Sequence, residues 1–372
     1  MTKAAELAKM GEVLTNSQIG GRRNIVMNGA MTISQRSTER TGLGASSGYY
    51  TLDRYRYGQN SRDEAVFTMK QASDAPTGFV KSFKLITTTP ESTIDADNLF
   101  WLEQRFEGQD ITQLKNGSSD AEKTTLSFHV KSSITGTFGV SLYKPENTAR
   151  IINATYTINS ADTWELKTIT FDGDTSGGGT NNDSTEALRV IWHLASGSNY
   201  DSTNSTSWAD YSTTNWAGGH AQDGVVTTSN ATWQLTGVQL EVGSVATPFE
   251  HRSFGEELAL CQRYYFKIQA DGSADSFAMG SVINSTTSDH NVFFPVQMRS
   301  SPTAIETSGT ASDYSTFTDG TATTNSSVPS FTRATAMTAY YRSVVSSGLT
   351  VGKAGIHRAL NSDAFLAWES EV

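Results

Sequence analysis

The side chains best suited to chemistry lie in one polar stretch, residues 197–219, which carries Tyr200, Trp208, Tyr211 and Trp216 among Ser, Thr, Asn and Asp. Flat rings beside short hydrogen-bonding groups suit a sugar, whose axial hydrogens stack on an aromatic face while its hydroxyls need polar partners. The same rings could instead cover an open edge of a β-sandwich or meet another subunit. Connections of this length are usually functional or disordered, and a disordered one seldom keeps large aromatics. Tyr200, Trp208, Tyr211 and Trp216 are therefore the glycan-binding candidates.

Catalytic chemistry has weaker support. A glycosidase needs two carboxyl groups about 5–5.5 Å or about 6.5–9.5 Å apart across the scissile bond. Glu103 and Glu107 flank Gln104-Arg-Phe and read as solvent-facing carboxylates, with Glu107 pairing Arg105 or Arg54. Glu241 alternates with Leu240 and Val242, which places it on an outer face or at a domain boundary. The six histidines, 129, 193, 220, 251, 290 and 357, show no metal-ligand spacing and no His-Glu-x-x-His run. His129 and His193 alternate with apolar neighbours and should point away from the core. Cys261, the single cysteine, has no local catalytic partner and reads as a buried structural thiol. Gly-rich tracts such as 176–179 lack the Gly-Lys-Ser ending of a phosphate loop and read as turns. The chain reads as non-enzymatic, with no catalytic residue, metal or cofactor.

At 372 residues the chain has room for two domains. Only 18% of its residues are charged, and polarity is carried instead by Ser, Thr, Asn and 31 glycines. Seven Trp, 13 Tyr and 17 Phe exclude a disordered composition. A net charge of −10 offers no cation excess to displace counterions, which excludes a broad nucleic-acid surface. No apolar run approaches the roughly 18 residues of a membrane helix. The first residues lack the apolar centre of a signal peptide, so an extracellular role would depend on release by lysis inside an assembled particle.

The elements that must position these residues read as strands. Segments 126–130, 138–142 and 188–194 alternate apolar and polar residues, as expected when one sheet packs on another. Tyr55 and Tyr57 share one face of a further core strand, with Arg54 and Arg56 on the other. The clearest strand runs from Trp233 to Val242, and its apolar phase changes around Thr236-Gly237, where a glycine predicts a β-bulge. It should close the large domain by pairing beside the first strand, before 244–250 passes to a second domain. Residues 256–263 read as a short helical connector. Weaker strands follow at 276–283, 291–298, 336–341 and 364–368, while 300–330 is dominated by Ser, Thr, Gly and Ala. Residues 3–14 form the best helical candidate, and Leu7, Met10 and Leu14 are the assembly candidates.

Several collinear stretches carry a family resemblance. They are Gly21-Arg-Arg-Asn-Ile-Val-Met-Asn-Gly-Ala-Met31, Tyr50-Thr-Leu-Asp-Arg-Tyr55, Gln71-Ala-Ser-Asp-Ala-Pro-Thr-Gly78 and Gln104-Arg-Phe-Glu-Gly108. Val130-Lys-Ser-Ser133, Gly237-Val-Gln-Leu-Glu-Val-Gly243 and Leu260-Cys-Gln-Arg-Tyr-Tyr265 complete the set. Over residues 12–267 the chain resembles virion-associated structural proteins of tailed bacteriophages, marine and cyanophage-like ones above all, described as tail-fibre or tail-appendage proteins. The remainder resembles a small β-domain that often follows.

The resemblance implies an all-β chain. A short helical attachment arm would occupy 1–22, and a large jelly-roll β-sandwich similar to carbohydrate-binding modules 23–252. A connector would span 253–265, and a smaller β-sandwich-like domain 266–372. Related jelly rolls often hold a calcium near the first strand, but Asn28-Gly29-Ala30 has no carboxylate, so no metal is expected. The resemblance further implies a homotrimer partnered by other tail or capsid proteins and by a host-surface glycan. The protein would be made in the infected bacterial cytoplasm and released with the virion, without membrane insertion. A capsid decoration or connector protein and a polysaccharide depolymerase are the alternatives.

Overall fold

The computed structural model describes Lys3 and residues 23–372, so the assembly candidates Leu7, Met10 and Leu14 lie outside the described residues. The chain divides into two compact units, Met1–Phe254 with Val372, and Gly255–Glu371. In the first unit the early strands are β1 (Glu39–Leu43), β2 (Gly48–Tyr49), β3 (Arg56–Asn60), β4 (Val66–Ala72), β5 (Ser82–Thr89) and β6 (Leu99–Glu107). There follow β7 (Thr124–Ser132), β8 (Gly136–Lys144), β9 (Arg150–Ile158), β10 (Glu165–Phe171), β11 (Glu186–Ser196), β12 (Ala209–Asp210) and β13 (Thr232–Val242). They form two antiparallel sheets, one ordered β1-β4-β5-β13-β7-β10 and the other β12-β9-β8-β11-β6-β3-β2.

Alternation decides which side chains meet between the sheets. Phe128 and Val130 of β7 face Phe138 and Val140 of β8 and Val190 and Trp192 of β11 in one buried cluster that also holds Tyr55 and Tyr57. Phe128 meets the Trp192 ring edge-on at 6.0 Å across the sandwich. Each such side chain contributes about 1.5–3 kcal/mol by leaving water. This is the jelly-roll sandwich expected from the sequence.

The predicted bulge is present in β13. The strand pairs with β7 along its length, and the register shifts between Thr236 and Gln239. Gly237 there has φ +62°, and a Cβ would stand 2.6 Å from Phe79 Cζ and 2.9 Å from His129 Nδ1. Before the bulge, the other edge of β13 pairs with β5, from Thr232 opposite Ile86 to Leu235 opposite Phe83. After it, the chain near the start of the described region takes over. Val238 N–H donates to the Gly29 carbonyl (3.0 Å) and Ile25 N–H to the Leu240 carbonyl (2.9 Å). The Asn24 side chain donates to the Val238 carbonyl and accepts from Leu240 N–H. Thus β13 lies inside its sheet, and the first segment borders only its second half. Glu241, expected on an outer face or at a domain boundary, is buried, because 244–250 folds over it and Thr247 donates to both carboxylate oxygens.

The second unit opens within the helix Phe254–Gln262, in which Cys261 is buried as expected. Its strands are β14 (Tyr265–Gln269), β15 (Ser276–Asn284), β16 (Thr287–Phe293), β17 (Glu306–Thr307) and β18 (Tyr314–Thr318). The last four are β19 (Thr321–Ala334), β20 (Thr338–Val345), β21 (Ala354–Ala359) and β22 (Phe365–Glu369). The sandwich-like domain takes the form of a closed barrel, β15-β16-β20-β19-β18-β21, beside a three-stranded sheet, β14-β22-β17. The Ser/Thr-rich 300–330 stretch, in which sequence marked no strand, holds β18 and most of the 14-residue β19.

Part of the barrel interior is polar, which explains the weak apolar signal. Ser288 bonds His290 (2.8 Å) and Thr316 (3.3 Å), Thr316 bonds Ser343 (2.9 Å), and Ser343 donates to Asn325 (2.9 Å). Tyr341 bonds His357 at 3.0 Å. Burial pushes His290 down to about 4 and His357 well below the usual imidazole value, so both are neutral inside the barrel.

Two outcomes follow. Gly237→Ala should cost the first unit about 1–3 kcal/mol through its left-handed backbone alone, read as a lower urea midpoint; an unchanged midpoint would show that the bulge relaxes freely. The unfolded chain takes up protons on these histidines near pH 6.5, whereas the barrel holds His290 neutral until about pH 4. The His290 contribution to barrel stability is therefore full above pH 6.5 and falls by roughly 3 kcal/mol as pH drops to about 4, and His357 adds to the loss. Intrinsic-rate-corrected hydrogen exchange of β16 and β20 amides should lose protection over that window, and His290→Gln should make the loss shallower. Equal protection at both ends would contradict it.

Candidate functional site

The candidate site is built on the outer face of the seven-stranded sheet. Because Tyr57, Leu102, Val190 and Trp192 point into the core, their strand neighbours point out. Register then sets Arg56 opposite Glu103, Glu103 opposite Ile191, and Arg105 and Tyr143 on either side of Arg189. Trp101 lies across Gly58, where any Cβ would come within 2.0 Å of its ring.

The 197–219 stretch folds back over this face as a structured segment. It contains a helical turn (Ser198–Asp201), β12 and a 3₁₀ turn (Thr213–Asn215), the last closed by reciprocal Ser212 and Asn215 bonds. Asn153 of β9 anchors it, donating to the Asn215 carbonyl (3.0 Å) and to Ser141 (2.9 Å) and accepting from Ser205 N–H (2.9 Å). Trp216 and Ala217 are thereby set against Leu99, Trp101, Ile151 and Ile191 in a second apolar cluster.

This cover overturns the solvent-facing reading of Glu103 and adds burial to the outward placement of His193. Glu103, read as solvent-facing, is fully buried. It meets Arg56 and Arg105 at 2.8 Å each and Arg189 at 3.4 Å, and it accepts from the Trp101 indole N–H at 3.0 Å. Burial alone would raise its carboxyl, but Arg189, Arg105 and Arg56 outweigh that and hold it below the usual range. His193 leaves the core, as its alternation predicted, and lies buried under the covering segment, bonded to Ser141 at 2.9 Å. Burial, with His220 nearby, pushes it well below the usual imidazole value. Glu107 is likewise buried and accepts from Gln109 at 2.7 Å.

Between the covering segment and the sheet a surface hollow of ≈ 350 Å³ remains, lined by Gln59, Asn60, Leu99, Trp101, Arg189, Tyr200, Tyr211, Thr213 and Trp216. The Trp216 ring centroid is 5.1 Å from that of Tyr143, 5.6 Å from Tyr211 and 6.1 Å from Trp101, all tilted or edge-on. Arg189 stacks its guanidinium 5.3 Å from the Tyr143 centroid. Asn60 donates to the Tyr200 hydroxyl at 2.7 Å, and Tyr211 is 37% exposed. Burial raises the Tyr143 and Tyr211 phenols, so their hydroxyls stay protonated and can donate. The lining contains no carboxylate, histidine or thiol, so it offers stacking surfaces and hydrogen bonds but no proton-transfer group suited to neutral pH.

Three of the four aromatic candidates, Tyr200, Tyr211 and Trp216, line this hollow. Trp208 does not. It packs on the main core and donates its indole N–H to the Asp172 carbonyl at 2.7 Å, while its own carbonyl accepts from Arg150. It thus ties the covering segment to the 172–183 loop, whose Asp174 is held by buried Lys144 at 3.1 Å. Sequence reasoning missed Gln59, Asn60, Trp101 and Arg189. Alternation in 188–194 already placed Arg189 outward, but the cross-strand register that gathers the others is not a local signal. Among the described residues no group of three or more His, Cys, Asp or Glu could hold a metal ion, and no helix is long and apolar enough to cross a membrane.

No protein-family model matches the chain, and no curated protein matches its sequence. In structure it is similar to the enzymatically active domain of tailspike protein 4 of bacteriophage CBA120, at 13% identity and TM-score 0.33, over 59% of this chain and 21% of that one. It is also similar to the family 11 carbohydrate-binding module of Clostridium thermocellum, solved with a β-1,3-1,4-mixed-linked tetrasaccharide, at 10% identity and TM-score 0.29, over 56% of this chain and 98% of that one. A family 16 carbohydrate-binding module is similar at 14% identity and TM-score 0.24, over 46% of this chain and 84% of that one.

Proposed function

We propose that the first unit is a non-catalytic saccharide-binding module, and that the chain is a tail-fibre or tail-appendage subunit of a tailed phage that supports attachment to a host-surface glycan. The hollow carries the first half of this reading. Tyr200, Tyr211 and Trp216 give it ring surfaces, Gln59, Asn60 and Thr213 give it short polar groups, and its lining lacks any carboxylate pair for glycoside hydrolysis. The phage half rests on the collinear motifs between residues 12 and 267. On that reading the protein is carried in the virion, attached through the 1–22 arm to tail or capsid proteins, as a homotrimer.

Binding is tested by calorimetry against a panel of bacterial surface oligosaccharides. Tyr211→Ala removes a half-exposed ring and should weaken the best ligand about tenfold, or about 1.4 kcal/mol, with the thermal midpoint nearly unchanged. Trp208→Ala should do the reverse, lowering stability without touching affinity. If Tyr211→Ala and Tyr200→Ala both bind like the parent, the hollow is not the site. Chemical cross-linking of purified virions should give a trimer of this chain; its absence from the particle would remove the phage assignment but leave the binding site standing.

A further inference from the structure

Arg189 is the one charged residue in the wall of the hollow. Its guanidinium is fixed from behind: Nε and Nη2 bond the two oxygens of Glu186, Nη1 reaches Glu103 at 3.4 Å, and its face lies against Tyr143. Three of its five N–H groups are engaged in this way, which leaves one on each terminal nitrogen. Glu103 and Glu186 pair the guanidinium directly from behind, but neither lines the hollow. At contact range an entering group therefore meets a cation and no anion. Asn60, Gln59 and Thr213 line the same hollow, and the Tyr211 hydroxyl stays protonated.

A wall with one held guanidinium and neutral polar groups suits an acceptor-only anion better than a neutral hydroxyl. A carboxylate offers two oxygens to the remaining N–H groups, and a charge-assisted bond of this kind is about twice as strong as a neutral one. Holding Arg189 in place before the ligand arrives also spares the ordering of a long side chain. We propose that the saccharide taken by this hollow is acidic, a uronic-acid-type sugar whose carboxylate is received by Arg189 while its ring lies against Tyr211. This rests on the saccharide reading of the hollow and sharpens it.

The test pairs hexuronate oligosaccharides (galacturonate, glucuronate and mannuronate) with their methyl esters, which keep the ring and remove only the charge. The intact protein should bind at least one acid about tenfold more tightly than its ester at low salt, and added salt should narrow the gap. Arg189→Gln should abolish the difference between acid and ester while leaving ester binding in place. Because that change also removes one partner of Glu103, a second variant guards against misfolding. Thr213→Glu adds an anion at an exposed position of the wall and should weaken the acid selectively. Acids and esters bound equally by the parent would overturn the acidic preference and leave the saccharide reading standing. Failure to bind neutral saccharides, esters and acids alike would overturn both.

Discussion

Strand β13 must satisfy two different neighbours along one edge, β5 before Gly237 and the 24–29 segment after it. Buried backbone groups need partners, and a continuous ladder with β5 would leave the 24–29 segment nowhere to bond. The extra residue at the bulge turns the strand between the two, while the Asn24 side chain serves as a substitute backbone group for Val238 and Leu240. Because side chains alternate with period two, the shift also sets which residues of the strand's second half face the core. Trp233 and Leu235 precede the shift, Val238 and Leu240 follow it, and all are fully buried. The six-stranded sheet is thus pinned at its centre, and the seven-stranded sheet packs on a surface whose register is fixed.

Once the inner faces are committed to each other, the outer face of the seven-stranded sheet is left with whatever alternation assigns to it. Here that is a row of arginines around one glutamate. A carboxylate buried without partners would take up a proton or destabilise the fold, whereas Glu103 has three guanidiniums and an indole N–H. That arrangement lets the 197–219 segment seal the face with Trp216 and Ala217. The hollow is the part of the seam the segment does not fill, and its walls belong to a sheet and an anchored loop, both held before any ligand arrives.

What alternation can reveal explains how much was legible beforehand. The bulge at Gly237, the core faces of β7, β8 and β11, and the structured character of the aromatic segment all leave local marks. Alternation places Glu103, His193 and Glu241 each on the correct strand face, but it does not show that all three are buried, and Glu103 reads as solvent-facing. The chain that covers them comes from elsewhere in the sequence: from 197–219 for the first two, and from 244–250 for the third. Trp208 and Trp216 look alike in sequence and differ in role, because only their neighbours in space, Asp172 for one and Trp101 for the other, separate edge cover from hollow wall. The barrel escaped more completely, since β19 reads as low-complexity Ser and Thr when its neighbours are unknown.

The two units therefore fill their interiors by different physics, and this bears on where recognition can reside. The sandwich core is apolar and tolerates partners only on its outside, so its specific chemistry is displaced to a covered outer face. The barrel carries part of its polar chemistry inside, where Ser288, Thr316, Ser343, Asn325 and His357 bond across the lumen. A network of this kind constrains the packing, because a slip would break several of its bonds at once. It also consumes the groups that could have met a ligand. In the sandwich the polar residues of the outer face are only partly consumed. Arg189 is held by two carboxylates and still lines the wall of the hollow, so one charged group of this face is fixed in place without being sealed over.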